Sequence, residues 1–98
     1  MHVLLWSFEV PSEQRSEFER VYGPEGDWVR LFSRSPEYVG TQLLPDPERA
    51  GHYVTVDSWI SREAFDAFKE QWKAEYDALD RACEKLTTTE LSLGTFDA

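Results

Sequence analysis

The chain has 98 residues, 41% hydrophobic and 30% charged, the balance expected of a single soluble globular domain spanning residues 1–98. Nineteen Asp and Glu against ten Lys and Arg give a net charge of −9, which repels phosphate backbones and anionic lipid and so argues against nucleic acid and membranes as partners. A lone cysteine, Cys83, excludes an intrachain disulfide, and the absence of a leader or an 18-residue apolar run makes a cytoplasmic protein the expectation.

His2 to Val10 reads as a strand. His2, Leu4, Trp6 and Phe8 form one bulky face, with Val3 and Leu5 on the other. Pro11-Ser12 opens a helix with Ser12 as its N-cap; Phe18, Val21 and Tyr22 make its stripe, and Gly23-Pro24 ends it. Asp27 caps a short second helix in which Trp28, Leu31 and Phe32 fall at i, i+3 and i+4. Tyr38 to Leu44 is a strand, with Gly40 marking a bulge or a close approach. The turn-forming run from Pro45 to Gly51 then makes a hairpin.

His52 to Ile60 alternates most clearly: Val54 and Val56 point one way, and Tyr53, Thr55, Asp57 and Trp59 the other. Ser61 caps a long helix whose stripe runs Phe65, Phe68, Trp72, Tyr76, Leu79, Cys83 and Leu86. Cys83 is therefore expected to be an inert core thiol. Thr87 to Phe96 closes the chain as a strand with Thr89, Leu91 and Leu93 on one face.

This order predicts an α+β fold, the ferredoxin-like βαββαβ pattern, with helices on one face of a four-stranded antiparallel sheet. The other face is expected to carry Leu4, Trp6, Phe8, Tyr53 and Trp59. Each aromatic brings about 150–250 Å², more in sum than a monomer leaves bare. A homodimer that packs these faces together, with a cavity between its two sheets, is the expectation.

At Val54-Thr-Val-Asp-Ser-Trp59-Ile-Ser-Arg-Glu-Ala-Phe65 the sequence resembles the antibiotic biosynthesis monooxygenase superfamily. An acidic residue stands two before a Trp on an apolar strand, and Ser-x-Glu-Ala-aromatic then starts a helix. The resemblance implies a dimeric α+β barrel. It also implies, as in some members, a cofactor-independent oxygenase acting on quinols or anthrones. Trp59 matches a pocket Trp of that group, Thr55 falls where a quinone-forming member has Asn, and Phe65 where it has Tyr. Other members degrade haem with an Asn, a Trp and an axial His. Here Trp6 and Phe68 stand at the first two positions, and the helix-borne His has no counterpart.

Asp57 is the candidate catalytic residue, since a carboxylate among aromatics is a stronger base than one in water. An Asp held by an Arg or by strand-end amides is the alternative. Trp59, Trp6, Phe8, Tyr53, Thr55 and Phe65 are the candidate contacts for a small aromatic ligand, against simple dimer packing for the strand aromatics. His2 and His52 are the only histidines, too few for a metal site, so no metal is expected. Gly23-Pro-Glu-Gly26, with Glu25 in it and Asp27 beside it, would repel phosphate, so with no phosphate-binding loop and no helix-borne His no cofactor is expected either, and without a nucleophile-elbow motif a hydrolytic triad has no support. Two further functions stay open beside the oxygenase: sequestration of a hydrophobic metabolite, and a structural dimer with a filled interior.

Overall fold

A computed structural model describes residues 1–98. Strand β1 spans His2–Glu9, and a short 3-10 turn over Ser12–Gln14 leads into α1, Arg15–Tyr22. Helix α2 is Asp27–Phe32, and the hairpin is β2, Tyr38–Pro45, with β3, His52–Trp59. Helices α3, Arg62–Gln71, and α4, Lys73–Cys83, precede β4, Thr89–Asp97. The strands pair antiparallel in the order β2-β3-β1-β4, with the helices on one face. The ferredoxin-like α+β expectation holds. No helix is long and apolar enough to cross a membrane.

Local chemistry explains most element ends. Ser61 caps α3 by accepting a hydrogen bond from the Ala64 amide at 3.1 Å. Gly51 sits at φ 84° in the hairpin, where a Cβ would stand 2.5 Å from the Val10 carbonyl oxygen. Glycine is required there. Two expected caps differ. Ser12 lies inside a 3-10 turn and bonds Glu13 rather than a helix amide. Asp27 is the first residue of α2 instead of its cap, and ion-pairs with Arg20 and Arg30.

The long helix expected after Ser61 is two helices. Trp72 breaks it at φ −110°, ψ 29°, with neither Pro nor Gly nearby. Its indole lies beneath the guanidinium of Arg34, two residues past the end of α2, at 4.7 Å. The closing strand also slips: the register against β1 shifts between Leu5 and Trp6, leaving Leu93 as the extra residue beside Gly94. Leu93 therefore has no partner on β1, whereas Thr89 and Leu91 pair with Glu9 and Ser7.

The largest correction concerns the two faces of the sheet. Leu4 and Phe8 on β1 and Tyr53, Thr55 and Trp59 on β3 are buried beneath the helices, and Trp6 packs against the same core. The helical layer supplies the aromatic surface that such bulky side chains need. Phe8 meets Phe18 and Tyr22, while Trp59 meets Phe32, Phe65 and Phe68 at centroid distances of 5.1–5.5 Å. The bare face instead carries the half-buried aliphatics Val3, Leu5, Val54 and Val56, with exposed Leu44, Leu91 and Phe96. A cavity formed between two sheets by Leu4, Trp6, Phe8, Tyr53 and Trp59 is thereby ruled out.

Candidate functional site

The cleft opens within one chain, between the sheet and the helices. Its volume is about 480 Å³. The sheet contributes Trp6 and Phe8 from β1, Thr41 from β2, Thr55 and Asp57 from β3 and Glu90 from β4. The helices contribute Tyr22, Trp28, Phe32, Lys69, Tyr76, Asp77 and Asp80. The helix break at Trp72 lies between the α3 residue Lys69 and the α4 residues Tyr76, Asp77 and Asp80, so both helices can reach one cleft.

Of the residues expected at the site, Asp57, Trp6, Phe8 and Thr55 line this cleft. Trp59 and Tyr53 share the helix-covered side of the sheet with Asp57 but lie in the core at either end of the cleft, and Phe65 packs there from α3. Trp59 is wholly buried among Phe32, Tyr38, Phe65 and Phe68. Tyr53 packs at a tilt against Phe18, and its hydroxyl donates to Glu19 at 2.5 Å. Phe65 packs between Trp59 and the Lys69 ammonium. Sequence reasoning missed Thr41, Lys69, Trp28 and Tyr76. The last two followed the helical apolar stripe and read as plain core; Thr41 is visible only through the strand register.

Asp57 is the chemical centre of the cleft. Burial pushes its carboxyl up to about 6 from an ordinary 3.8, and one hydrogen bond opposes that shift. The bond comes from Thr41, whose Oγ1 donates to Asp57 Oδ1 at 2.6 Å. No Arg, Lys or His pairs with the carboxylate. Oδ2 has no protein partner and is not sealed from solvent. The Arg-held alternative for Asp57 is absent.

The surrounding groups resist charge. Tyr76 is pushed up to about 12 by burial and by the nearby carboxylates Asp80, Asp57, Glu90 and Asp77, so it stays a neutral phenol. Burial first, then Cys83, raises Tyr22 as well. Burial with Asp80 and Glu84 raises Glu90. Lys69, whose ammonium lies 5.0 Å from the Tyr76 ring centre, is the one cation on the wall. The Cys83 thiol is buried and its ionisation is disfavoured by that burial, in line with an inert core role. An aromatic slot with one unsatisfied carboxylate oxygen can hold a flat ring and remove a proton from it.

The family model described as antibiotic biosynthesis monooxygenase matches residues 1–74. The chain belongs to this family. The match ends at the start of α4, so Tyr76, Asp77, Asp80 and Glu90 lie beyond the matched span. Among solved structures, the family member is similar to SnoaB, a cofactor-independent oxygenase from Streptomyces nogalater. The two are 25% identical with a TM-score of 0.73, over 99% of this chain and 91% of that one. It is also similar to MhuD, a haem degrader from Mycobacterium tuberculosis solved with two haems in its active site. There the identity is 25% and the TM-score 0.65, over 100% of this chain and 95% of the other. No curated protein matches the chain.

Proposed function

We propose that this family member is a cofactor-independent monooxygenase for a flat phenolic substrate of the quinol or anthrone class, with Asp57 as the general base. The observation that carries the reading is the unpaired Asp57 Oδ2 in an aromatic cleft, on a carboxyl whose burial raises it to about 6. Near neutral pH such a group is mostly ionised yet far more basic than an ordinary Asp. Oδ2 takes a proton from the substrate: one O–H or C–H bond breaks and an O–H bond forms on Asp57. The electron-rich anion left behind reacts with O₂. For an anthrone, the CH₂ becomes a carbonyl, with one oxygen atom in the product and one in water, so no external reductant is needed. Trp6, Phe8, Trp28 and Tyr76 would sandwich the ring, and Lys69 would face the developing anion.

The haem chemistry of MhuD does not fit these residues. The cleft lining contains no His, Cys or Met. Its two tyrosines are both held in the neutral form, which opposes phenolate ligation, and Asp77, Asp80 and Glu90 would repel haem carboxylates. The sequestering reading uses the same cleft, and the acidic rim, which opposes a developing anion, favours it. The bare apolar sheet face supports a homodimer, now built on Val3, Leu5, Val54, Val56, Leu91 and Phe96.

Oxygen uptake on a panel of hydroxyanthrones and quinols tests the oxygenase. Wild type should consume O₂, and Asp57→Asn should slow turnover by ~10²-fold or more while ligand still quenches Trp fluorescence. Quenching without uptake by wild type across the panel would move the function to sequestration.

A further inference from the structure

We propose that Thr41 and Tyr38 are positioning residues for Asp57: a directional pair of hydroxyls that ties down one carboxylate oxygen and leaves the other to face the substrate. The proposal rests on the reading of Asp57 as a base. Thr41 Oγ1 stands 2.6 Å from Asp57 Oδ1, and Tyr38 Oη stands 2.6 Å from Thr41 Oγ1. A hydroxyl has a single proton to donate. When Asp57 is ionised, Thr41 must donate to it, so Tyr38 must in turn donate to Thr41. The chain therefore runs one way, Tyr38 to Thr41 to Asp57, and holds the Thr41 rotor in its donating position. Oδ2 is left as the oxygen free to accept a proton.

The strand is built to make this arrangement. Thr41 is the cross-strand partner of Asp57, and Tyr38 the partner of Trp59. Residues three apart on a regular strand point to opposite faces. Here the register shifts between Tyr38 and Gly40, so Val39 is an extra residue, and both Tyr38 and Thr41 reach the helix-covered side. Without the bulge the tyrosine hydroxyl would be on the bare face and Thr41 would be free to rotate away. Thr41 also borders a second surface depression that includes Tyr38, Val39 and Gly40, so the pair spans from that depression to the cleft.

No other group does this work for Asp57. The charged and titratable side chains that line the cleft with it from the packed elements are Tyr22 on α1, Lys69 on α3, Tyr76, Asp77 and Asp80 on α4 and Glu90 on β4. None of them hydrogen-bonds or ion-pairs with it. The Thr41 hydroxyl is the one stabiliser of the ionised form set against burial.

The test is a pH titration of the Asp57 carboxyl by ¹³C NMR on substrate-free protein, alongside the pH profile of turnover. Wild type should titrate near 6. Thr41→Val should shift the ionisation equilibrium about tenfold or more toward the protonated form, the scale of a lost hydrogen bond to a charge. Thr41→Ser should restore it, and Tyr38→Phe, which leaves the ring packing intact, should shift it the same way by less. The turnover profile should move with the titration in each variant. An unchanged titration in Thr41→Val and Tyr38→Phe overturns the hydroxyl pair, whatever turnover does. A titration that moves while the turnover profile stays put upholds the pair's hold on Asp57 and removes Asp57 from the role of base. Should Thr41→Val fail to fold, Tyr38→Phe against wild type decides the question alone.

Discussion

A carboxyl that ionises only near 6 is a residue that the fold tolerates at a cost. In the unfolded chain Asp57 should titrate near 3.8, and in the folded protein near 6. Between those values the native state holds the extra proton, so stability falls as pH rises from about 4 to about 6 and then levels off. Two pKa units correspond to about 2–3 kcal/mol at most. Asp57→Asn removes the ionisation and keeps an oxygen that can accept from Thr41. The variant should resist urea better than wild type at pH 8, by up to about 2 kcal/mol, and match it below pH 4. Less stability than wild type at both pH values would mean that the carboxylate is a structural anchor. A substitution that stabilises the fold while slowing the reaction is the pattern expected of a residue kept for chemistry.

At the level of elements, the strands and their order were legible because alternation and helical spacing are local properties of the chain. Ser61 before Arg-Glu-Ala, Gly23-Pro24 and the Pro45–Gly51 turn each state an element end in their own chemistry. The break at Trp72 was not legible, since no Pro or Gly marks it and the apolar stripe runs through it unbroken. Which sheet face the helices cover was also hidden. Alternation separates His2, Leu4, Trp6 and Phe8 from Val3 and Leu5 but does not say which set is inside. The bulkier set went under the helices because aromatic side chains from α1, α2 and α3 meet it there, and the smaller aliphatic set was left to the bare face. That Asp57 shares one face with Trp6, Phe8 and Thr55 was legible; that this face is the helix-covered one was not. Trp59, Tyr53 and Phe65 missed the cleft because shared face does not fix position along the strand: the cleft is central, and they lie where α1 and α3 pack down. Tyr38 escaped notice because the bulge at Val39 reverses its facing.

For the whole molecule, the proposed function assigns different tasks to two surfaces. The bare sheet face, apolar across β1, β3 and β4, is suited to a second copy. Light scattering at micromolar concentration should give twice the 11.4 kDa chain mass, and Leu91→Asp with Phe96→Asp should halve that value while leaving the cleft residues intact. A wild-type monomer would contradict the barrel. The cleft lies on the opposite side of the sheet, so the proposed ligand binding and the proposed dimerisation would draw on different faces of the same strands. A crystal structure with a hydroxyanthrone bound tests that separation most directly. The ring should lie between Trp6 and Tyr76 beneath the helices, its phenol oxygen within hydrogen-bonding distance of Asp57 Oδ2. A ring held against Val54 and Val56 between two sheets, away from Asp57, would contradict it.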